Sequence, residues 1–300
     1  MKELVVISGK GGTGKTSVVA SFAALAESKV IADCDVDAAD LHLVLAPNIK
    51  HREEFSASKQ AMIDQERCTA CGKCEEVCQF DAIHLDEPKT GVLGKTYRVD
   101  PIACEGCSVC VRFCPADAIL FGDVVSGEWF ISDTRHGPMV HAKLGVAAEN
   151  SGKLVTLVRN KAREIAAENT LGLIIADGSP GIGCPVIASI AGASLVLVVT
   201  EPTLSGLHDL ERVCGLTKFF GAQTAVCINK CDLNPEVAAE IENGAEEKGI
   251  RVLGRVRYDS AVTRAQVDGI SVVEADGESA AADDIRALWQ NVSAELNSER

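Results

Sequence analysis

The chain is short of positive charge: 29 Lys and Arg stand against 43 Asp and Glu, for a net charge of -14. A surface that coats nucleic acid needs clustered cations to displace counterions from phosphates, so that class is excluded. Long apolar runs are also missing. The longest, such as LVLVV at 195–199, fall far short of the roughly 20 residues that cross a bilayer. The opening MKELVVISGKGG runs directly into strand and loop composition with no apolar leader followed by small residues, so a cytoplasmic protein without a membrane anchor is expected. Aromatic residues make up only 4%. What is present is ordinary: 47% apolar and 24% charged residues over 300 positions, enough to bury a core in one large or two modest domains.

Cysteine is the exception, with 13 residues. A disulfide framework belongs to small exported chains, so metal binding is the better reading. Cys68, Cys71, Cys74 and Cys78 follow C-x2-C-x2-C-x3-C, and Cys104, Cys107, Cys110 and Cys114 repeat it. Structural zinc sites pair two-cysteine knuckles. Three cysteines at this spacing wrap one iron–sulfur cluster while the fourth reaches another.

Around this repeat the chain alternates strand and helix patterns. ELVVIS, a glycine loop, the helix SVVASFAALAES and the strand KVIADCD make a βαβ opening. Residues 46 to 64 are polar and aperiodic and read as a connector. DVVSGEWFISDT has strand composition, and HGPMVHAKLG reads as a loop. Helices are expected near 153–168, 203–220, 235–248, 260–268 and 281–297, with strands LGLIIAD, SLVLVVT, TAVCINK and RVLGRV between them. Continuous apolar strands suit a parallel sheet covered on both faces. The expected architecture is a doubly wound α/β domain (1–60 and 124–300) carrying an inserted α+β cysteine domain (61–123).

GKGGTGKT at 9–16 matches G-x-x-x-x-G-K-[ST] between a strand and a helix, which is the context that a phosphate loop requires. Gly9, Gly11, Gly12, Thr13 and Gly14 can turn backbone N–H groups onto phosphate oxygens, Lys15 can neutralise β/γ charge, and Thr16 can ligate magnesium, with Ser17 beside it. Carboxylates at strand ends, Asp35, Asp37 and Asp177, suit magnesium and attacking-water chemistry. Asp37 and Asp40 read equally well as helix caps. Asn229 and Asp232 of NKCD have the spacing of a nucleotide-base motif.

KGGTGKT, DCDVDAAD at 33–40 and DGSPGIG at 177–183 together resemble the deviant-Walker ATPases that include MinD, ParA, Mrp and the nitrogenase iron protein. The resemblance implies that Lys10 reaches the partner's phosphates across a nucleotide-sandwiched homodimer or heterodimer, that Asp35 positions water, that Asp177 holds magnesium through water with Gly181 in the same switch, and that Asn229 and the segment 257–259 contact adenine. The cysteine repeat resembles a bacterial two-cluster ferredoxin. By that topology Cys68, Cys71, Cys74 and Cys114 hold one [4Fe–4S] cluster, and Cys104, Cys107, Cys110 and Cys78 the other. One departure stands out: Cys114 is followed by Pro115, but Cys78 by Gln79. Taken together, the chain resembles MinD-like ATPases with an inserted ferredoxin domain.

Of the other cysteines, Cys184 has the offset from Asp177 of a cluster-binding cysteine in the nitrogenase iron protein, but reads first as a small apolar residue. Cys34, Cys214, Cys227 and Cys231 carry no role, nor do His136 and His141. Ile285, Leu288, Trp289, Val292 and Leu296 form one helical face suited to core packing. Three functions follow: an ATPase coupling dimer closure to electron transfer toward a redox partner, an ATPase assembling iron–sulfur or other metallocofactors for a client protein, and, ranked last, a MinD- or ParA-like positioning ATPase.

Overall fold

The computed structural model describes residues 1–86, 95–145, 151–275 and 278–298. The chain divides into two units, the first made of 1–53, 129–144 and 151–300, the second of 54–128 and 145–150.

The first unit opens with β1 (Lys2–Ser8), the phosphate loop, α1 (Lys15–Leu25) and β2 (Lys29–Asp33), then a short α2 (Leu41–Leu45) and the start of β3 (Asn48–Ile63). In the second unit lie α3 (Lys73–Glu76), β4 (Ile83–Asp86), β5 (Thr96–Val99), α4 (Val109–Phe113) and the first part of β6 (Ile119–Thr134). The first unit resumes with β7 (Gly137–Leu144), α5 (Ser151–Glu168), β8 (Leu173–Pro180), α6 (Cys184–Ile190), β9 (Leu195–Thr200), α7 (Leu204–Phe219), β10 (Thr224–Asn229), α8 (Pro235–Glu247), β11 (Arg251–Val256), α9 (Ser260–Val267) and α10 (Ala280–Asn297).

Nine strands form one sheet in the order β11-β10-β9-β1-β8-β2-β7-β6-β3. Every pairing from β11 to β7 is parallel, with β1 central between β9 and β8. Successive side chains of a strand point to opposite faces. Leu4 and Val6 of β1 therefore join Phe22 of α1 and Ile285, Leu288 and Val292 of α10 in one core cluster. Ile7 points the other way: a Cβ on Gly178 would meet both its Cγ2 and Ser189 of α6. The face of α10 expected to pack does so, with Phe22 and Trp289 rings 4.9 Å apart.

Two stretches differ from expectation. The connector at 46–64 is mostly β3, a strand whose first seven residues are exposed. It is the edge of the sheet, and an edge strand tolerates, and is protected by, the charges that hid its pattern. HGPMVHAKLG is β7, not a loop: Ile31 to Asp33 of β2 pair with Met139 to His141, and Met139 through Ala142 are buried. Its opening Gly137-Pro138 are turn residues that end a hairpin from β6, so the apolar core of the strand is too short to register. Inside it, His141 stacks on Phe130 with ring centroids 4.8 Å apart and bonds the Ser132 hydroxyl at 2.8 Å.

In the second unit β4 and β5 pair antiparallel, Ile83 opposite Val99 and Leu85 opposite Tyr97. The sequence repeat is also a backbone repeat. Left-handed residues recur at equivalent places: Ala70 and Gly106, Gly72 and Ser108, Asp81 and Asp117. Its small core gathers Ala61, Cys74, Ile83, Tyr97, Cys110 and Ile119.

Candidate functional site: a phosphate-loop cavity and two cysteine-lined cavities

The helices α7, α8, α9 and α10 each start with a side chain that accepts a backbone N–H, from Thr203, Asn234, Asp259 and Ser279. By contrast α1 starts at Gly14 with no side-chain cap, leaving its first N–H groups and its positive dipole end for a ligand. Gly12 and Gly14 hold φ of 82° and 89°, a left-handed backbone that favours glycine. The loop faces a cavity of about 450 Å³ lined by residues 11–18, Asp35, Asp40, Pro180, Asn229, Lys230 and 256–259.

Beneath the loop, Lys15 Nζ donates to Asp177 Oδ1 at 2.6 Å and to Asp35 Oδ2 at 3.2 Å. The Thr16 hydroxyl donates to Asp177 Oδ2 at 2.8 Å. Burial pulls the Lys15 ammonium down, but Asp177, Asp35 and Asp33 together hold it above the usual lysine range. Asp35 is raised by burial and by the Asp177 charge, against the pull of Lys15. Asp33, the first residue of DCDVDAAD, is raised well above a normal carboxyl by burial and Asp177. Its Oδ1 accepts the Asp35 N–H at 3.1 Å, while its Oδ2 is buried without a partner, as are Asp35 Oδ1 and Thr13 Oγ1. Buried oxygens without a protein partner beside a phosphate loop suit a bound polar ligand.

Lys10 stands at the far side of the loop: its Nζ contacts Glu201 Oε1 at 2.7 Å, Ser205 Oγ at 2.7 Å and Thr203 Oγ1 at 3.3 Å. A Cβ on Gly9 would lie 2.4 Å from Asp209 Cβ, so only glycine lets the loop start against α7. Asn229 Nδ2 donates to the Thr13 carbonyl at 2.7 Å, making it a clamp on the loop as well as a wall of the cavity. Lys230 Nζ donates to the Gly12 carbonyl at 2.9 Å and meets Glu201 Oε2 at 3.1 Å. Glu201 fits no motif, and Lys230, although it lies within NKCD, has no role in the base reading; the fold brings both to the loop.

At the 257–259 wall, the Arg257 N–H donates to Asp284 Oδ2 at 3.0 Å and the Tyr258 N–H to Asp232 Oδ1 at 2.7 Å. Both donors are therefore engaged within the chain, and Asp232 acts on the wall from behind. Asp37 is exposed and does not line the cavity, and Asp40 precedes α2 without a side-chain cap bond. The Gly181 N–H donates to the Ser8 carbonyl at 2.8 Å, tying the turn after β8 to the end of β1. Cys184, expected as a small apolar residue, is exposed and begins α6. Cys34 and Cys227 are fully buried, the latter thiol pushed up to about 12 by burial.

The eight repeat cysteines line two small cavities. Cys68, Cys71, Cys74 and Cys114 surround one, with Ile63, Tyr97 and Ile119. Cys78, Cys104, Cys107 and Cys110 surround the other, with Phe80, Ile83 and Phe121. Equivalent backbone groups serve the fourth cysteine of each copy: the Ala82 N–H reaches Cys78 Sγ at 3.4 Å and the Ala118 N–H reaches Cys114 Sγ at 3.3 Å. Among the described residues, no three His, Cys, Asp or Glu side chains converge where a single metal ion could sit. No helix among them is long and apolar enough to cross a membrane.

Comparison with known proteins agrees with this fold. An uncharacterized protein of Methanocaldococcus jannaschii is 36% identical over 239 residues, covering 77% of this chain and 79% of that relative. A second uncharacterized protein of the same organism is 24% identical over 236 residues, 77% of this chain and 81% of its own. The cell division ATPase MinD of Pyrococcus furiosus superposes with a TM-score of 0.55 at 17% identity, covering 98% of each chain. MinD in the Aquifex aeolicus MinC:MinD complex gives 0.57 at 15% identity, covering 100% of this chain and 99% of its own. These structures establish a shared α/β fold with a large, mostly parallel sheet. A profile of the CobQ/CobB/MinD/ParA nucleotide binding domain matches residues 4–272, so that the uncapped loop before α1 sits in a matching frame on both sides of the cysteine repeat, and the chain belongs to that family as a P-loop ATPase.

Proposed function

We propose that the protein binds ATP with magnesium at the phosphate loop, that the bound nucleotide closes a dimer, and that hydrolysis is coupled to electron transfer through two [4Fe–4S] clusters held by the cysteine repeat. The carrying observation for the first step is Lys15, locked between Asp177 and Asp35 at 2.6 and 3.2 Å. A triphosphate offers that ammonium a stronger, multiply charged acceptor. Once Lys15 turns to the β/γ-phosphates, Asp35 is free to orient water. Thr16 and Asp177 place two hard oxygens 2.8 Å apart, a donor set that fits magnesium, with Asp177 acting through water. Magnesium there would neutralise phosphate charge. Lys10 would reach the nucleotide of a second chain, either a copy of this one or a similar ATPase.

Support for clusters comes from the four-and-four division of the repeat cysteines. A cubane takes one thiolate per iron corner, so its ligands stand around a void and do not converge on a point as single-ion ligands do. Cys68, Cys71, Cys74 and Cys114 would hold one cluster, and Cys78, Cys104, Cys107 and Cys110 the other; each would supply one-electron chemistry. The N–H groups of Ala82 and Ala118 favour thiolate charge on Cys78 and Cys114. Gln79 leaves the first copy with a backbone N–H that Pro115 removes from the second. The test is direct. After anaerobic purification, a nonhydrolysable ATP analogue changes the cluster potential or electron-transfer rate in the wild type and not in Lys15→Ala; identical behaviour of the two overturns the coupling. The protein that copurifies from the native host identifies the electron acceptor.

The fold likeness to MinD favours a second reading, a positioning ATPase. Ile285, Leu288 and Val292 of the last helix are buried in the core, so α10 has no spare apolar face for a bilayer. ATP-dependent co-sedimentation with vesicles or DNA would support this reading over the redox one.

A further inference from the structure

Glu201 sits between the two lysines that flank the phosphate loop. Its Oε1 holds Lys10 at 2.7 Å and its Oε2 holds Lys230 at 3.1 Å; burial raises its carboxyl, but the two ammonium groups bring it below the usual range. The other partners of Lys10, Thr203 and Ser205, are the N-cap and second residue of α7. That is an unfavourable place for a cation, because the helix N-terminus carries a positive partial charge. Hydroxyl groups alone would not keep an ammonium there; the Glu201 carboxylate does. Lys230, meanwhile, has a second anchor in the Gly12 carbonyl at 2.9 Å. If Lys10 leaves, Glu201 keeps Lys230 and is not stranded, so release of Lys10 costs little of the buried-charge penalty that breaking an isolated pair incurs.

We propose that Glu201 is a latch on Lys10. In the single chain it retracts Lys10 onto the start of α7, and closure of the dimer requires the partner's phosphates to take the lysine from it. This rests on the reading that Lys10 acts across a dimer. It assigns Glu201 a positioning role: it sets how readily closure occurs without itself touching nucleotide.

The experiment measures the dimer dissociation constant of the full chain by sedimentation with a nonhydrolysable ATP analogue, for the wild type, Glu201→Gln, Lys10→Ala and the double variant, alongside nucleotide affinity at concentrations below dimerisation. Glu201→Gln weakens a charge-assisted contact and is expected to tighten the dimer about tenfold. In the Lys10→Ala background the same change has no effect, as coupling through one lysine requires. Ser205→Ala, which removes a Lys10 contact and leaves Lys230 untouched, tightens the dimer by a smaller factor and serves if Glu201→Gln misfolds. An unchanged or weakened dimer in both single variants overturns the latch, as does equal tightening in the Lys10→Ala background. If Lys10→Ala dimerises like the wild type, the underlying reading fails and the latch with it.

Discussion

Asn229 Nδ2 donates to the Thr13 carbonyl at 2.7 Å and fills the space where a Cβ on Gly14 would sit, 2.2 Å away. A residue expected at the base of the nucleotide is thus also the strut that holds the phosphate loop in shape. Loop curvature and the far wall of the cavity are set by one side chain.

Asn229→Ala should therefore weaken nucleotide binding about tenfold by removing one part-buried hydrogen bond, with the fold intact. Titration with a fluorescent ATP analogue measures this. Gly14→Ala should lose binding altogether, and Asn229→Gly should not rescue it, because a φ of 89° stays strained for alanine even after the clash is relieved. Rescue would mean that the clash alone mattered.

Lys15→Met strips a buried cation from Asp177 and Asp35, so it should cost stability as well as binding. About 3 kcal/mol is expected for breaking a buried pair, a fall in Tm of roughly 6–12 °C for a unit of this size. Calorimetry without nucleotide is the check; an unchanged Tm would show that the carboxylates are satisfied without the lysine.

Asp33→Asn tests the buried carboxyl behind the switch, whose Oδ2 has no partner. In the folded chain Asp33 holds its proton more tightly than in the unfolded chain, where 3.8 is the ordinary value. Native protein then binds more protons than unfolded protein above that pH, so stability declines as pH rises through the window up to the raised value. The asparagine variant should match the wild type below about pH 4 and exceed it by a growing margin as pH rises above that value. Melting curves across pH decide it, with parallel curves counting against it.

Glu274 has the opposite sign. Burial raises its carboxyl, but Arg135 at 2.7 Å, Ser271 and His136 bring it down to about 2. Its contribution is present above the ordinary 4.5 and is lost as pH falls toward 2. Glu274→Gln should lose roughly 1 kcal/mol near pH 7 and flatten the acid limb of the melting profile.

For the cysteine repeat, anaerobic reconstitution should load about eight iron atoms per chain, four for each cluster. Cys114→Ser should share the electron paramagnetic resonance signature of Cys68→Ser, and Cys78→Ser that of Cys104→Ser. If Cys78→Ser groups with Cys68→Ser, each sequence copy keeps its own four ligands and the exchange of the fourth cysteine is wrong.

Local chemistry made much of this protein legible. GKGGTGKT between strand and helix, apolar runs such as LVLVV, and the helical face through Ile285 and Leu288 state their roles within a few residues, because glycine geometry and hydrophobic periodicity are short-range properties. Among the strands that escaped, β3 and β7 have a character that depends on neighbours: β3 is charged because it is an edge, and β7 is strand-like only because β2 pairs with it. Glu201 belongs to the site for the same reason. Nothing near Glu201 in the sequence marks it; β9 and β10 lie side by side in the sheet, and that adjacency brings Glu201 and Lys230 together. The sequence by itself determined where the phosphate loop lies and how the repeated thiols are spaced. Only the tertiary structure decided which carboxylate meets which lysine, since burial and charge pairing arise between segments that the chain order keeps far apart.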